Sequence, residues 1–334
     1  MTHTMMQLVH WLLREAILGV SITWCTIFSS LGQSTQPSVV PQNVIDTSAQ
    51  PLVFAPGVVS TAFEEAAATF SPDGNTVYFY QGTIYNTVCY SKKIDGKWAK
   101  PEVAPFSGQY SDWDPFLSPD GKRLFFVSSR PQDDKSLIKP KKKTHLWYAD
   151  HLQGDTWSAP HLLDAPFNLD SVNNFAPSVS RSGTICFCSR GRDGHAGMGS
   201  YYAKRLGDHY DTPKLMALNG NEETQDPFIA PDERYIIFVS GDNELYISYR
   251  QGDGWATGQK LGPQVNNGDS IWDPTVSPDG KMLYYTSARV KGFYKRDPKG
   301  PALNYDGLEK EMGSIFNGRG NILMIPVNLK NNAN

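Results

Sequence analysis

Three aspartates, each followed directly by a proline, stand out in this 334-residue chain as groups that could do chemistry: Asp114, Asp226 and Asp273. Two carboxyl groups about 5–5.5 Å or 6.5–9.5 Å apart can hydrolyse a glycosidic bond, one as general acid and the other as nucleophile or base. Such carboxylates can also bind a peptide or a cation, or cap a strand through backbone N–H groups. Because Asp-Pro recurs, a structural role competes with catalysis at these positions.

The aspartates belong to a unit that repeats along the chain at a period of about 40–50 residues. Each copy has a short strand, a Ser-Pro-Asp-Gly turn and a second strand, most clearly in residues 111–130 and 270–289. The turns of the five copies begin at Ser71, Ser118, Ser180, Ala230 and Ser277. Proline presets the second turn position, aspartate caps the turn and glycine tolerates a positive φ. The motif therefore predicts a structural turn rather than a binding site.

Two further strands complete each copy. A Gly/Asp turn after the third strand precedes an aromatic residue that opens a fourth, at Trp98, Trp157, Tyr210 and Trp255. A proline follows three of these aromatics at a distance of three residues. Since proline cannot donate to a strand ladder, the fourth strand is predicted to be the outer edge of its sheet. Four antiparallel strands per copy predict an all-β propeller of five blades, and six blades would need a copy that the turns do not show.

The fifth copy lacks an aromatic-opened fourth strand, and a segment before the first copy offers a replacement. Residues 51–59 resemble residues 160–168, and both segments lie equally far before a turn serine. We therefore expect residues 51–56 to join the last blade. This closes the ring and protects the strand edges that an open sheet would expose.

The unit Pro-x-x-Ser-Pro-Asp-Gly-Lys-x-Leu-Phe-Phe-x-Ser-x-Arg resembles the repeat of TolB-type, WD-repeat-like β-propellers. The Gly-Lys-Trp-x-x-Pro segment is similar to that of secreted and envelope-associated bacterial members. The resemblance covers residues 50–328, and the third copy departs from it with Arg181, Ser182 and Gly183 in the turn. It implies a propeller that serves as a binding platform, in a family with few assigned active sites.

The N-terminal segment has the pattern of a signal peptide. Residues 16–28 form an apolar run, and small residues at Ser30 and Gly32 allow cleavage before Gln33. A retained anchor is the alternative, although the run is shorter than the roughly 20 residues that span a bilayer. Residues 1–32 are thus predicted to be a signal peptide, 33–49 a linker, 50–330 a single propeller and 331–334 a tail. A periplasmic or secreted bacterial protein follows.

Charge and cysteine content exclude several classes of partner and site. A net charge of −3 argues against nucleic-acid binding, which needs a basic surface. Cys89, Cys186 and Cys188 remain after the signal peptide, and this odd number indicates buried thiols rather than a disulfide framework or a zinc pair. No cofactor or metal is predicted, and a monomer is expected.

Antiparallel blades divide the loops into two faces. The Pro-Asp-Gly turns share one face, while the long segments 131–144, 191–199 and 290–319 share the other, where the inner strands begin. The first of these includes a run of lysines at Lys139, Lys141, Lys142 and Lys143. Loops that vary on a rigid scaffold are frequent sites of function. The mouth of the propeller on this face is predicted to bind a ligand through Glu64, Glu65, Asp112, Trp113, Asn174, Trp272, Arg130, Arg190, Arg289 and His195.

Two function classes fit this mouth. The first is a non-catalytic module that binds a protein, peptide or glycan, because the chain has no Gly-x-Ser-x-Gly, His-Glu-x-x-His or phosphate-binding glycine motif. The alternative is a carbohydrate-active enzyme, with Glu65 as acid and Asp273 or Asp114 as base.

Overall fold

Five antiparallel sheets, each built on four strands, surround a central axis in the computed structural model. It describes residues 44–82, 85–132, 143–220, 223–289 and 298–329. The predicted all-β propeller of five blades is therefore confirmed. No helix in these ranges is both long and apolar enough to cross a membrane.

The strands of each blade run in chain order from the axis to the outer edge, except that β1 (Leu52–Val53) belongs to the last blade. Blade 1 comprises β2 (Glu64–Phe70), β3 (Thr76–Gly82), β4 (Thr87–Ile94) and, after the hairpin strand β5 (Lys97–Trp98), β6 (Glu102–Val103). Blade 2 comprises β7 (Asp112–Leu117), β8 (Arg123–Ser128), β9 (His145–Asp150) and β10 (His161–Leu162).

The remaining three blades follow the same plan. Blade 3 comprises β11 (Asn173–Val179), β12 (Ile185–Arg190), β13 (Met198–Ala203) and, after the hairpin strands β14 (Arg205–Leu206) and β15 (His209–Tyr210), β16 (Lys214–Leu215). Blade 4 comprises β17 (Thr224–Ile229), β18 (Tyr235–Ser240), β19 (Glu244–Gln251) and, after the hairpin strand β20 (Gly254–Trp255), β21 (Gln259–Lys260). Blade 5 comprises β22 (Ile271–Val276), β23 (Met282–Ser287), β24 (Asn321–Pro326) and β1. A short helix, α1 (Tyr305–Met312), precedes β24.

The ring closes as the sequence predicts. Leu52 and Val53 pair antiparallel with Met324 and Leu323, so that β1 forms the outer edge of blade 5. The chain already contacts the propeller at Ile45, which is buried and forms a bridge with Val327. This contact lies within the stretch 33–49 that the sequence predicts to be a linker.

The recurring aromatics do not open the outer strands, which corrects one detail of the prediction. Trp98 and Trp255 pair with the far end of the third strand in a short hairpin. The outer strand begins only after the proline, as at Pro101 and Glu102. The aromatics pack between blades instead: the Trp157 ring contacts Tyr78 of blade 1 edge-on, with 5.8 Å between ring centroids. Burial of the ring against the neighbouring blade explains why the aromatic recurs.

Every inner strand contains a bulge at the same place, and a residue with positive φ marks it. The five residues are Ala67, Asp114, Ala176, Asp226 and Asp273, with φ between 44° and 56°. The strand register shifts at each of these points. Aspartate tolerates this left-handed region better than most residues, and a bulge re-aims the side chains beside it. The Asp-Pro pairs of the sequence are therefore located at bulges beside the axis.

The irregular turns of blades 3 and 4 compensate each other. In three regular turns the serine hydroxyl donates to the aspartate two residues later, as from Ser71 to Asp73 at 2.5 Å. Blade 3 has Ser182 in place of that aspartate, and Ser180 donates instead to Glu233 of blade 4 at 2.7 Å. Glu233 stands where the regular turns have glycine, and it keeps a positive φ of 59°. The carboxylate of the blade 4 turn thus stabilises the blade 3 turn, and Arg250 pairs with it at 3.0 Å.

Candidate axial site

A cavity of about 360 Å³ opens at the axis on the face of the long loops. Three inner strands, β7, β17 and β22, each contribute a bulge aspartate and the residue before it. These pairs are Trp113 with Asp114, Gln225 with Asp226, and Trp272 with Asp273. Because a bulge interrupts the alternation of side chains, two successive residues reach the same cavity.

Aromatic side chains enclose the cavity on the side of blade 1. Blade 1 has Ala66 at the position that holds Trp113 in blade 2 and Trp272 in blade 5. The space left by this small residue is occupied by Tyr80, which packs on Ala66 and Ala67 beside both tryptophans. The result is a cavity with flat apolar faces around a group of carboxylates, a combination suited to stacking a sugar ring or another planar apolar group.

The three aspartates at the axis have raised pKa values. Removal from water, and then the charge of Asp226, raise the pKa of Asp114 to about 8. Removal from water raises the pKa of Asp226 to about 6, against a hydrogen bond that the Asp273 backbone N–H donates to it. The pKa of Asp273 lies well above its ordinary value, through burial first and then repulsion from Asp114 and Asp226. At neutral pH an ionised Asp226 therefore lies close to protonated carboxyl groups.

Backbone amides of the next blade hold two of these carboxylates. The Ala176 N–H donates to Asp114 Oδ2 at 2.9 Å, and the Asp273 N–H donates to Asp226 Oδ2 at 3.3 Å. The buried Oδ2 of Asp273 has no hydrogen-bond partner within the described part of the chain. Unequal environments that separate the pKa values of neighbouring carboxyl groups are typical of acid–base pairs in enzymes. No set of three His, Cys, Asp or Glu side chains in the described ranges is arranged to hold a metal ion.

These raised pKa values predict a pH-dependent stability. The folded protein retains protons that the unfolded chain, with an ordinary aspartate pKa of 3.8, has already released. The contribution of Asp114 is therefore fully present below about pH 4 and is lost as the pH rises to about 8. We expect Asp114→Asn to remove this loss, so that the difference in unfolding free energy between variant and wild type grows in favour of the variant across that range. Urea unfolding at several pH values measures it.

Asp73→Asn is the matched control, because a hydrogen bond from Ser71 lowers the pKa of Asp73. The contribution of Asp73 to the unfolding free energy is present above the ordinary aspartate pKa and is lost only as the pH falls. The difference in unfolding free energy between wild type and Asp73→Asn therefore stays constant from about pH 5 to 8. For Asp114→Asn, a difference in unfolding free energy that stays constant over the same pH range would contradict the raised pKa that burial gives Asp114.

Five of the residues singled out in the sequence line the cavity: Trp113, Asp114, Asp226, Trp272 and Asp273. Glu64 lies near the cavity, with Gly320 between it and Trp272. A Cβ on Gly320 would lie 2.8 Å from Trp272 Cζ2 and 3.3 Å from Glu64 Cγ. The charge of Glu64 also contributes to the raised pKa of Asp273.

Three other predicted residues occupy one equivalent position, two residues before each bulge, and do not line the cavity. Glu65 accepts hydrogen bonds from the Thr61 hydroxyl at 2.5 Å and from Gln81 at 3.0 Å. Asp112 and Asn174 are equally buried and accept from Ser128 and Ser189. Their side chains point between blades, where they connect strand ends. The structure therefore does not bring Glu65 together with the axial aspartates.

The arginines predicted at the mouth lie away from the cavity. Arg130 forms a buried ion pair with Asp112 at 2.8 Å, and Arg289 pairs with Asp269 at 2.7 Å. Arg190 is exposed at the end of β12. In blade 3 it is Arg192 that corresponds to Arg130, since it is buried and donates to the Pro166 carbonyl at 3.1 Å. A short 3₁₀ turn shifts Arg192 out of the regular spacing, which is why the sequence pattern did not indicate it.

His195 follows that 3₁₀ turn, and its backbone N–H donates to the Arg192 carbonyl at 2.8 Å. It packs near Gly199 and does not line the axial cavity. Of the predicted loops, residues 133–142 and 290–297 lie outside the described residues, and with them Lys139, Lys141 and Lys142. Lys143 donates to the Ser171 carbonyl at 3.4 Å.

Polar residues that the sequence did not single out line the side of the cavity formed by blades 4 and 5. Gln225 Nε2 donates to Asn243 Oδ1 at 3.1 Å, and Asn243 Nδ2 donates to Ser270 Oγ at 3.2 Å. Gln225 holds the position of Trp113 and Trp272, directly before the bulge aspartate. Alignment of the copies on their turns would have indicated it, because every bulge residue lies four residues before the first turn position.

Solved structures share this fold. The chain resembles an α-L-arabinofuranosidase from Lactobacillus brevis with a TM-score of 0.51 and 12% identity, over 83% of this chain and 94% of that one. A protein of unknown function from Dyadobacter fermentans gives a TM-score of 0.47 with 14% identity over 84% and 98% of the two chains. A thermostable family-43 glycoside hydrolase gives 0.48 with 11% identity over 81% and 91%.

No family model and no curated protein matches the chain. At these identities the structural likeness establishes the propeller fold alone. The resemblance to TolB-type repeats is supported at the level of fold, and membership of that family stays a prediction.

Proposed function

We propose that this propeller is a glycoside-cleaving enzyme that acts in the axial cavity. Asp226 is the base, and a protonated neighbour, Asp114 or Asp273, is the general acid. The observation that carries the proposal is that three carboxyl groups whose pKa values are raised by burial line one cavity together with aromatic side chains. Burial raises the pKa of Asp226 to about 6 and that of Asp114 to about 8, so both required forms are present at neutral pH.

The rest of the cavity supports a sugar as the ligand. Trp113, Trp272 and Tyr80 supply aromatic faces, while Gln225 and Asn243 supply amide groups for hydroxyls. The volume of about 360 Å³ falls in the range of roughly 300–1,000 Å³ that is common for small-molecule sites. The arabinofuranosidase of similar fold shows that another protein carries glycoside chemistry on this architecture, although fold by itself does not imply function.

Non-catalytic binding of a glycan or peptide at the same cavity is the second candidate. It is favoured by the hydrogen bonds that Asp114 and Asp226 accept from the backbone of the next blade. These bonds explain the position of both carboxylates without any reaction, because a bulge aspartate that joins neighbouring blades stabilises the ring. In this case the aromatic faces of Trp113 and Trp272 carry the binding.

One experiment separates these functions. The protein is incubated with a panel of aryl α- and β-glycosides of pentoses and hexoses and with plant and microbial polysaccharides. Released aglycone or reducing ends are measured, and calorimetry records binding to the same compounds. Turnover supports the enzyme, saturable binding without turnover supports the second candidate, and absence of both rejects the axial cavity as a glycan site.

Trp113→Ala and Trp272→Ala test whether the signal arises in the axial cavity, and both are expected to lose it. Trp255→Ala is the matched control, because Trp255 lies in the outer hairpin of blade 4, where Arg250 stacks on its ring at 4.7 Å. Equal losses in all three variants would assign the signal to general destabilisation.

A further inference from the structure

A second cleft, with a volume of about 610 Å³, lies between blades 2 and 3 on the face of the Pro-Asp-Gly turns. It is bounded by the turn 118–122 of blade 2 and the turn 180–183 of blade 3, at the strand ends opposite the axial cavity. Cationic and aromatic side chains line it together, including Arg123, Arg181, Arg205 and Tyr210. No role in the axial site or in closing the ring accounts for this combination.

The cleft has an excess of positive charge. Arg123 is neutralised by Asp150 through two hydrogen bonds of 2.6 and 3.0 Å, and it stacks 3.8 Å above the Tyr148 ring. The Asp120 carboxylate already accepts a hydrogen bond within its own turn, from the Ser118 hydroxyl. Among the described residues neither Arg181 nor Arg205 forms an ion pair with a carboxylate, although Asp208 lies near enough to Arg205 for the two charges to interact. Two guanidinium groups are therefore available to an anion.

The departures of the third repeat from its sister copies create this charge. Arg181 and Ser182 replace the proline and aspartate of the regular turn, which adds a cation and removes an anion. In place of the missing aspartate, the carboxylate of Glu233 from blade 4 accepts the hydrogen bond of the turn serine Ser180. The turn is thereby stabilised without a carboxylate of its own, so that Arg181 gains no partner in its own turn.

Arg205 is held in place by its surroundings. Its Nε donates to the Gly207 carbonyl at 2.9 Å, at the tip of the hairpin formed by β14 and β15. Its side-chain stem passes so close to Gly183 that a Cβ there would lie 2.9 Å from Arg205 Cδ, and Gly183 also has a φ of 88°. The glycine therefore admits the arginine stem, and the guanidinium is positioned before any ligand arrives.

An aromatic side chain lines the cleft beside Arg205. Tyr210 is the direct cross-strand partner of Arg205 in the hairpin formed by β14 and β15, and both residues line the cleft with Arg123. Phe125 adds apolar surface to the same cleft. A bare inorganic ion would use only the cations, whereas the aromatic surface and the volume suit an anion carried on a larger ring.

We propose that this cleft binds an acidic glycan, a sugar chain that bears carboxylate or sulfate groups. The anionic group pairs with Arg181 and Arg205, because a guanidinium offers parallel N–H donors to two oxygens of a carboxylate or sulfate. The sugar ring packs against Tyr210. The net charge of −3 of the whole chain makes this cleft a local exception rather than part of a general basic surface. The site lies on the other face from the axial cavity and does not depend on the function proposed there.

Calorimetric titration of the full chain tests the proposal. The probes are an oligouronate tetrasaccharide, a sulfated tetrasaccharide, a neutral tetrasaccharide, inorganic phosphate and a short single-stranded DNA. We expect one or both acidic sugars to bind in a way that requires Arg181 and Arg205, whereas any binding of the neutral sugar, which the axial cavity can also take, does not require them. The dissociation constant is expected to rise when NaCl increases from about 0.05 M to about 0.5 M, because salt screens exposed charges. The uronate and sulfate arms distinguish the two sources of anionic charge.

Arg181→Ser and Arg205→Ser are each expected to weaken acidic-sugar binding about tenfold or more, as the loss of a charge-assisted contact does. Arg234→Ser is the matched control, since Arg234 occupies the corresponding turn of blade 4 but pairs with Asp232 at 2.6 Å. Trp272→Ala should also leave this binding unchanged. An equal effect of the two arginine variants on neutral and acidic sugars, no effect of these variants on acidic sugars, or tighter binding of phosphate or DNA would each overturn the proposal.

Discussion

Asp226→Asn is expected to lower kcat by about 10²–10⁴-fold on the best glycoside of the panel, the range observed when general acid–base catalysis is lost. The amide keeps the size of the side chain and can still accept from the Asp273 N–H, so the blade contact at 3.3 Å survives. What is lost is the axial carboxyl group proposed as the base, whose pKa of about 6 lies below that of Asp114. Initial rates at saturating substrate measure the effect.

The pH profile of the wild-type enzyme provides an independent check. Because the base must be ionised and the acid protonated, kcat should peak between the pKa of Asp226, about 6, and that of Asp114, about 8. Asp114→Asn should abolish the fall on the alkaline side if Asp114 is the acid. Asp279→Asn, in the turn on the opposite face, is the control and should keep the wild-type profile. An Asp226→Asn variant with wild-type kcat would reject Asp226 as the base.

Arg130→Ala is expected to destabilise the fold by about 3–5 kcal/mol, as the loss of one partner from a buried ion pair does. Asp112 is completely buried and would keep an unpaired carboxylate, while Arg130 is only 9% exposed. The guanidinium also lies 5.1 Å from the centre of the Phe126 ring and donates to the Phe106 carbonyl. Its removal therefore leaves an empty space beside that ring and a carbonyl without this donor. Urea unfolding followed by tryptophan fluorescence gives the difference in free energy.

Arg123→Ala serves as the control for burial. Arg123 and Asp150 form an ion pair of similar geometry, but about a third of each side chain is accessible to solvent. Solvent screens such pairs, and the expected loss is about 1 kcal/mol or less. Similar losses of unfolding free energy for Arg123→Ala and Arg130→Ala would show that burial adds no stability to the pair of Arg130 and Asp112. Arg130 would then again be a candidate ligand-binding residue of the mouth.

The architecture could be predicted from the sequence because it depends on local chemistry. The Ser-Pro-Asp-Gly turn at Ser118 stabilises itself through a hydrogen bond between residues two apart, and no distant part of the chain is needed. The alternation of side chains in the strands then follows from the turns. Closure by residues 51–56 was also predictable, since that segment has the same proline-led pattern as the outer strand of blade 2.

The composition of the candidate site was decided by the tertiary structure. The two-residue alternation of a strand places Trp113 and Asp114 on opposite sides, yet the bulge turns both toward the axis. Glu65 directly precedes Ala66, which lies at the axis beside Tyr80, so ordinary alternation turns Glu65 away from the axis. In sequence, an acidic residue at the start of an inner strand is indistinguishable from one at the mouth. A bulge depends on backbone packing around the closed ring, so no single copy of the repeat reveals it.

Hydrogen bonds between blades were likewise decided by the tertiary structure. Glu233 replaces a glycine and Ser182 replaces an aspartate, and each change by itself reads as a defect in its own repeat. Only the ring brings the two turns within hydrogen-bond distance, so that the Glu233 carboxylate accepts from both serines of the blade 3 turn. The sequence by itself determined five blades, their turns and their closure, because these depend on neighbours along the chain. Which carboxylates meet at the axis, and which arginines stay free in the cleft between blades, depends on neighbours in space.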